Sequence, residues 1–254
     1  LLVVTHAGTL YCFGPDERPA ARHTCKPTRP RGPSAAARRA EEILQISGVR
    51  AGYALFLGVG DGDVMEQLAT RSDLHIVGID PDRDRIDALR KRFDEAGLYG
   101  RRIALIPGTP GKARYPRYLS SLIVMEDPRV LPEVPDAAFL EQVYSLLRPY
   151  HGQAILSASP DTREPYADAL KGFSPVNGKV VQKGRSLVLS RTGPLPDTGQ
   201  WTHQYADSSN TVFSPDERVR PPFGPIWFGG PTNENVIPRH ALGPRPQAAG
   251  GRVV

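Results

Sequence analysis

Three glycines at alternate positions carry the clearest chemical signal in this sequence. Gly58, Gly60 and Gly62 stand between an apolar run and a stretch with helical spacing, in "FLGVGDGDVMEQLA" at residues 56–69. Glycine weakens strands and helices, but it permits positive φ and allows a ligand to approach bare backbone. The spacing therefore indicates either a ligand-binding loop or an ordinary tight turn, and the surrounding residues must decide between them.

An aspartate downstream of the glycines favours the ligand. Asp80 ends the apolar stretch "HIVGID", 22 residues after Gly58. A carboxylate at the end of a second strand can accept hydrogen bonds from both hydroxyls of a ribose, whereas a structural aspartate would simply begin a turn before Pro81. The joint spacing is more specific than either feature alone. We expect the backbone of residues 58–62 to line a concave site, with the Asp80 carboxylate facing the same cavity.

The elements that must position these residues alternate between helix and strand from residue 34 to residue 192. Alternation of this kind predicts an α/β fold, a Rossmann-like doubly wound parallel sheet with ligands at the carboxyl ends of its strands. The glycines then lie between the first strand and its helix, where backbone N–H groups and the helix dipole favour a polar or negative group. Helices are predicted at residues 34–47, 63–71, 82–97 and 137–150, and strands at residues 52–58, 75–80, 102–108, 120–127 and 152–159.

Composition and charge exclude several classes of protein. The chain has 254 residues and a hydrophobic content of 39%, typical of globular domains, and no run of 18 apolar residues predicts a membrane span. The net charge of +5 comes from basic residues mixed with acidic neighbours, a pattern that argues against direct nucleic-acid binding. Cys12 and Cys25 match no metal-ligand spacing, so no metal site is expected.

Two motifs carry a family resemblance. The dinucleotide-binding fingerprint G-x-G-x-x-G/A needs a small residue at position 63, where this chain has aspartate. The register Gly58-x-Gly60-x-Gly62 therefore disfavours NAD as the ligand. The register instead resembles the first motif of class I S-adenosylmethionine-dependent methyltransferases. The stretch "LLRPYHGQAIL" at residues 146–156 resembles the late motif of that family, in which a helix ends in Leu-Leu-x-Pro and a glycine turn leads into the fifth strand.

The resemblance implies a role for each matching residue. The three glycines would lie beside the amino-acid portion of S-adenosyl-L-methionine, Asp80 would bind its ribose, and Ile79 and Pro81 would flank the adenine or ribose. The sequence departs from the family pattern twice. Phe56 stands where the family usually has an acidic residue, and "IPGTPGK" at residues 106–112 lacks the aspartate often found after the third strand.

Glu126 and Asp127 are the candidate catalytic residues. They close the fourth predicted strand in "IVMED", where the family places groups that bind the methyl acceptor or take its proton. The alternative is an acidic pair solvated at a strand end before Pro128. Methyl transfer itself asks little of a protein, because the sulfonium is already activated and catalysis can rest on positioning the acceptor.

The ends of the chain resemble a different family. "VVTHAGTLYCFGP" at residues 3–15 has the form of a strand, a turn at Gly8 and a second strand, and the region after residue 196 carries Trp201, Trp227 and Phe228 among glycines and prolines. Both ends resemble pyrroloquinoline-quinone-like β-propellers. The whole is similar to bacterial, planctomycete-type proteins in which a methyltransferase-like domain, here residues 31–195, interrupts a propeller, here residues 1–30 and 196–254.

Two functions follow from these resemblances. The central domain is either a methyltransferase that acts on an unidentified small-molecule or protein acceptor, or a non-catalytic module in a propeller-based interaction scaffold. Such a module would either bind S-adenosylmethionine or be degenerate and bind nothing. In the first case the propeller would recruit or orient the acceptor, and in the second the scaffold would be built on the propeller. A protein partner recruited by the propeller is expected. The chain starts without methionine, so we expect it to be a fragment. S-adenosylmethionine is a cytoplasmic metabolite, which favours a cytoplasmic location for the protein, whereas such propellers are often exported to the periplasm.

Overall fold

The architecture was determined as a computed structural model that describes residues 2–5, 10–14, 34–112, 115–125, 127, 129–157, 160–219, 222 and 246–254. The helices are α1 (Ala35–Ser47), α2 (Asp63–Arg71), α3 (Arg83–Glu95), α4 (Ala137–Leu146) and α5 (Pro160–Lys171). The strands are β1 (Leu2–Val4), β2 (Leu10–Cys12), β3 (Ala51–Leu57), β4 (Asp73–Asp80), β5 (Ile103–Pro107), β6 (Ser120–Met125), β7 (Tyr150–Ser157), β8 (Gly178–Lys183), β9 (Ser186–Gly193), β10 (Ala248–Ala249) and β11 (Arg252–Val253).

Polar caps begin the helices where the sequence predicts them. The Ser34 side chain accepts a hydrogen bond from the Ala37 N–H at the start of α1. The carboxylates of Asp82 and Asp136 do the same at the starts of α3 and α4. Each cap satisfies a backbone donor that has no partner inside the helix. The predicted starts of these three helices are therefore confirmed to within a residue or so.

The central sheet has seven strands in the order β5-β4-β3-β6-β7-β9-β8. Neighbouring strands from β5 to β7 run parallel, as predicted, but β9 is antiparallel to both β7 and β8. The expectation of a purely parallel sheet was therefore wrong at this end. Gly184, at a φ of +58°, lies in the short connection between β8 and β9, and a hairpin needs no crossover helix. The helix α5 was also missing from the prediction.

Two apolar clusters cover the two faces of the sheet. One face packs against α1, α2 and α3 through side chains such as Leu44, Leu68 and Phe93. The other face packs against α4 and α5 through side chains such as Leu140 and Tyr166. The sheet is thus covered on both sides, and its carboxyl edge remains the place where loops can approach a ligand.

The late motif adopts a different local geometry from the expected glycine turn. α4 ends at Leu146 and β7 already begins at Tyr150, so His151 and Gly152 lie within the strand. The bend occurs at Tyr150, which has a φ of +70°. A Cβ on Gly152 would come within 2.6 Å of the Arg148 carbonyl oxygen. This glycine is therefore required for the close approach of backbone, and Tyr150 makes the turn.

The flanks form small hairpins. β1 pairs antiparallel with β2, which confirms the two predicted strands, and β10 pairs antiparallel with β11. The predicted turn at Gly8 lies outside the described residues. Trp201 forms a bridge with Ala248 and so connects the C-terminal hairpin to the segment after β9. Cys25, Trp227 and Phe228 lie outside the described residues. Within the described residues no helix combines the length and apolar character needed to cross a bilayer.

Gly62 tests the packing of α2 against α3. A Cβ at Gly62 would lie 2.7 Å from Leu89 Cδ2 and 2.9 Å from Phe93 Cζ, whereas a Cβ at Gly48 would meet nothing within 4 Å. The two glycines have similar positive φ values, +77° and +68°. Both alanine substitutions therefore carry a similar backbone strain. We expect Gly62→Ala to lower the free energy of unfolding by about 1–3 kcal/mol more than Gly48→Ala, measured by urea denaturation. Equal losses would show that this contact does not constrain the fold.

Candidate functional site

The order in which successive strands are added to the sheet reverses at β3. The chain proceeds from β3 outward to β4 and β5, and then returns to the other side of β3 to form β6. The connections on the two sides cover opposite faces of the sheet, so the carboxyl ends of β3 and β6 border a crevice. In open α/β sheets ligands bind at such a switch point.

The three glycines follow β3 into this crevice, and each has a positive φ: 90° for Gly58, 56° for Gly60 and 77° for Gly62. A Cβ at Gly58 would come within 2.5 Å of the Val130 side chain and 2.7 Å of the Asp127 side chain, while Gly62 packs against α3. A Cβ at Gly60 would meet nothing within 4 Å. Two glycines are thus required by packing, and Gly60 alone of the three opens onto free space.

A cavity of about 480 Å³ lies over this glycine loop (residues 58–62). Its volume is within the range of about 300–1,000 Å³ typical of small-molecule sites. No residue in the described part of the chain accepts a hydrogen bond from the N–H of Gly60 or of Asp61. These backbone donors are available to a ligand. The lining consists of Phe56, Gly58, Val59, Gly60, Asp61, Val64, Asp127 and Arg129.

Asp80 lies beside the glycine loop but does not line the cavity. Asp80 is fully buried, and its Oδ2 accepts a hydrogen bond from the Val59 N–H at 3.2 Å. Arg85 Nη1 donates to Oδ1 at 2.9 Å and to Oδ2 at 3.0 Å. The expectation that the Asp80 carboxylate faces the cavity was therefore wrong for this conformation. The physical reason is that the guanidinium of Arg85 covers it.

The other three predicted site residues differ in where they lie. Ile79 is buried in the core cluster that contacts α4 and α5, and its side chain does not line the cavity, so its place beside a ligand stays a prediction. Its backbone carbonyl instead accepts from the Gly58 N–H at 2.8 Å. Asp127 does line the cavity. Glu126 lies outside the described residues, so its role stays a prediction.

Asp127 is held by an arginine two residues away. Arg129 donates from Nε to Oδ1 at 2.8 Å and from Nη2 to Oδ2 at 2.6 Å, and its backbone N–H adds a third bond. The hydrogen bonds from the Arg129 side chain hold the pKa of the Asp127 carboxyl below its usual range, although burial opposes this shift. Asp127 is thus an ionised carboxylate in the cavity at neutral pH.

The sequence analysis assigned no role to Arg85 or Arg129, although both pair with carboxylates at the site. Arg85 also contacts Asp82 at 2.9 Å, so Asp80, Asp82 and Arg85 form one charged group, and the Asp127–Arg129 pair is a second one at the cavity. A signal for both existed in the sequence. At or just after the end of β4 and of β6 the sequence has Asp-Pro with an arginine within the next four residues, in "IDPDRDR" and "MEDPR". Asp-Pro marks a turn, and a turn returns a nearby arginine toward the carboxylate.

Comparison with known proteins identifies the fold. No family model matches the sequence, and no curated protein matches it. A solved protein from Methanococcus maripaludis, proposed to be an S-adenosyl-L-methionine-dependent methyltransferase, superposes with a TM-score of 0.54 at 17% identity, over 63% of this chain and 87% of the other. A SAM-dependent O-methyltransferase from Thermotoga maritima gives a TM-score of 0.50 at 10% identity, over 62% of this chain and 66% of the other.

The α/β domain has a methyltransferase fold. This finding agrees with the predicted fold class and with the resemblance carried by the glycine register. At these levels of identity the similarity concerns the fold, and the chemistry must be argued from the residues of this chain.

The Asp127–Arg129 pair gives a test by titration. We expect Arg129→Gln to raise the pKa of the Asp127 carboxyl, because burial would then act without the guanidinium. Carboxyl ¹³C NMR measures this pKa directly. Since the parent pKa is depressed, the pair's contribution to stability is complete above the unfolded value of about 3.9 and is lost as the pH falls through the folded value.

Arg101 provides the control for this titration. It is exposed just before β5, at the amino edge of the sheet. The substitution Arg101→Gln should leave the titration of Asp127 unchanged. A titration of Asp127 that is the same in Arg129→Gln and in the parent would contradict the assigned pairing.

Proposed function

We propose that this chain binds S-adenosyl-L-methionine on the glycine loop and transfers its methyl group to an acceptor. One observation carries the proposal: a cavity lined by the glycine loop lies at the switch point of a sheet with a methyltransferase fold. The glycine register and the position of Asp80 in the sequence support the same cofactor.

The residues at the cavity fit this cofactor in part. The open space at Gly60 suits the carboxylate of the amino-acid portion, as do the N–H groups of Gly60 and Asp61, for which the described residues offer no acceptor. The Phe56 side chain, 3% exposed, gives an apolar wall where an acidic residue would otherwise help to orient the ligand. Asp80 would hold the ribose once its carboxylate is released from Arg85. Ile79 would contribute through its backbone.

The cofactor, when bound, supplies an activated methyl group, so the chain has to bind, orient and exclude water. Asp127 suits binding better than proton removal, because a carboxylate with a depressed pKa is a weak base. We propose that it orients a cationic or hydroxyl-bearing acceptor. Glu126, its neighbour in the sequence, is proposed as the second carboxylate on the acceptor side.

A second cavity, of about 460 Å³, is proposed as the place of the acceptor. Arg129 lines both this cavity and the one over the glycine loop, so the two adjoin. The wall combines apolar side chains such as Leu131 and Phe139 with the polar groups of Lys112 and Gln142. This composition suits an acceptor with an apolar body and a few polar groups.

The saturated Asp80 carboxylate favours a second candidate function. If Arg85 stays bound to Asp80, the carboxylate is not available to a ribose. Phe56 also stands where an acidic residue would help to orient the cofactor. The domain would then be a non-catalytic or degenerate module. Such a module would serve in an interaction scaffold. Binding of the cofactor without turnover, or no binding at all, distinguishes this function from methyl transfer.

We also propose that the flanking hairpins belong to a pyrroloquinoline-quinone-like β-propeller of a bacterial protein, which recruits a protein partner to the domain. The sequence resemblance of both flanks and their antiparallel pairing support this proposal. The blades of a propeller are four-stranded sheets. A structure of the chain with longer natural flanks should place β1 and β2 in such a blade, and an isolated hairpin would contradict the proposal.

Calorimetric titration with S-adenosyl-L-methionine tests the cofactor assignment. We expect saturable binding with one site per chain. The absence of detectable heat at millimolar cofactor would remove both the methyltransferase and the cofactor-binding module. If binding occurs, formation of S-adenosylhomocysteine in the presence of candidate acceptors separates the enzyme from the module.

The substitution Gly60→Val tests the location of the site. A β-branched side chain would fill the open space at the loop and resist the φ of +56°. Gly184 is a matched control, because it has a φ of +58° and a Cβ there would also meet nothing within 4 Å. We expect both valine variants to lose about 1–2 kcal/mol of stability from left-handed strain. Only Gly60→Val should lose cofactor binding, and equal affinities in the two variants would place the ligand elsewhere.

A further inference from the structure

The Asp80 carboxylate has no acceptor capacity left for a ligand. Two carboxylate oxygens offer about four lone-pair sites. Oδ1 accepts from the Asp82 N–H at 3.0 Å and from Arg85 Nη1 at 2.9 Å. Oδ2 accepts from the Val59 N–H at 3.2 Å and from Arg85 Nη1 at 3.0 Å. Hydroxyl groups of a ribose can therefore reach Asp80 only if one of these donors withdraws.

Arg85 is the donor that can withdraw. The N–H groups of Val59 and Asp82 belong to the backbone of the glycine loop and of the turn before α3, so they cannot leave without unfolding those turns. The Arg85 side chain, by contrast, has several rotatable bonds and is 24% exposed. It also keeps a second partner, because its Nη2 lies 2.9 Å from an Asp82 oxygen, and the Asp82 side chain is 42% exposed. The guanidinium can thus leave Asp80 and remain paired.

We propose that Arg85 competes with the ribose hydroxyls of the nucleoside for Asp80 and so sets the affinity of the site. This inference rests on the proposed function and adds a regulatory contact to it. In the free protein Arg85 donates hydrogen bonds to both oxygens of the Asp80 carboxylate. In the bound protein its guanidinium pairs with Asp82, and the hydroxyls donate to the two oxygens that it has vacated. The apparent affinity is lowered by the free energy needed to separate Arg85 from Asp80.

The test compares the parent with Arg85→Met in calorimetric titrations with S-adenosylhomocysteine. Methionine preserves much of the apolar stem but donates no hydrogen bond, so Asp80 keeps its two backbone donors and regains two lone pairs. We expect the variant to bind about tenfold more tightly, the order of one hydrogen bond to a charged group. Arg83→Met is the matched control: Arg83 is an exposed arginine on the same helix, and this variant should bind like the parent.

A shorter ligand separates competition from a general structural effect. Adenosine carries the ribose hydroxyls, whereas 2′,3′-dideoxyadenosine lacks them. Arg85→Met should tighten the binding of adenosine and leave that of the dideoxy compound unchanged. The double variant Asp80→Asn/Arg85→Met should lose the gain, because the carboxylate that accepts both hydroxyls is gone.

The outcomes distinguish this inference from the proposed function. If the parent binds S-adenosylhomocysteine and Arg85→Met binds with the same affinity, the competition is refuted and the cofactor assignment stands. Weaker binding by Arg85→Met would make Arg85 a residue that contacts the ligand, which also refutes it. If neither protein binds, the proposed function itself fails.

A further variant keeps the inference testable if Arg85→Met does not fold. Arg85→Lys retains the charge, but a single ammonium group cannot span both Asp80 and Asp82 as the guanidinium does. It should therefore show a smaller gain in affinity for adenosine, again absent for the dideoxy compound. An unchanged affinity for adenosine in this folded variant would refute the competition.

Discussion

The position of β3 between β4 and β6 is the constraint on which the site depends. Because crossover connections between parallel strands are right-handed, the helices on the β4 side and those on the β6 side cover opposite faces of the sheet. A crevice at the carboxyl edge follows from this topology. The glycine loop borders it from β3 and Asp127 borders it from β6. The lack of a side chain at Gly58 allows the two loops to lie this close together, because a Cβ there would come within 2.7 Å of the Asp127 side chain.

Charge then determines what this crevice can hold. Asp80, Asp82 and Asp127 stand close to Arg85 and Arg129, so three carboxylates are opposed by two guanidinium groups. Under the proposed function, each arginine occupies a carboxylate that a nucleoside or an acceptor would otherwise use. The site therefore combines an open backbone cradle with side chains that are already paired. If the proposed competition holds, the affinity of the site depends on how readily those ion pairs rearrange.

The α/β pattern and the glycine loop were readable in the sequence because they rest on local rules. Ser34, Asp82 and Asp136 cap helices through contacts three residues away, and the apolar runs mark buried strands. The antiparallel β9 was missed because direction is decided by pairing between strands. The burial of Asp80 was missed for a similar reason: the side chain of Arg85 reaches it only once the turn after β4 has formed.

Under the proposed function, the glycine loop holds the amino-acid portion of S-adenosyl-L-methionine. Amide NMR of the ¹⁵N-labelled chain during titration with S-adenosylhomocysteine tests it most directly, because each loop glycine reports for itself. We expect saturable shifts of the Gly58, Gly60 and Asp61 amides, with the Gly184 amide unmoved. Saturable shifts elsewhere with none at the loop, or no shift anywhere at millimolar ligand, would contradict it.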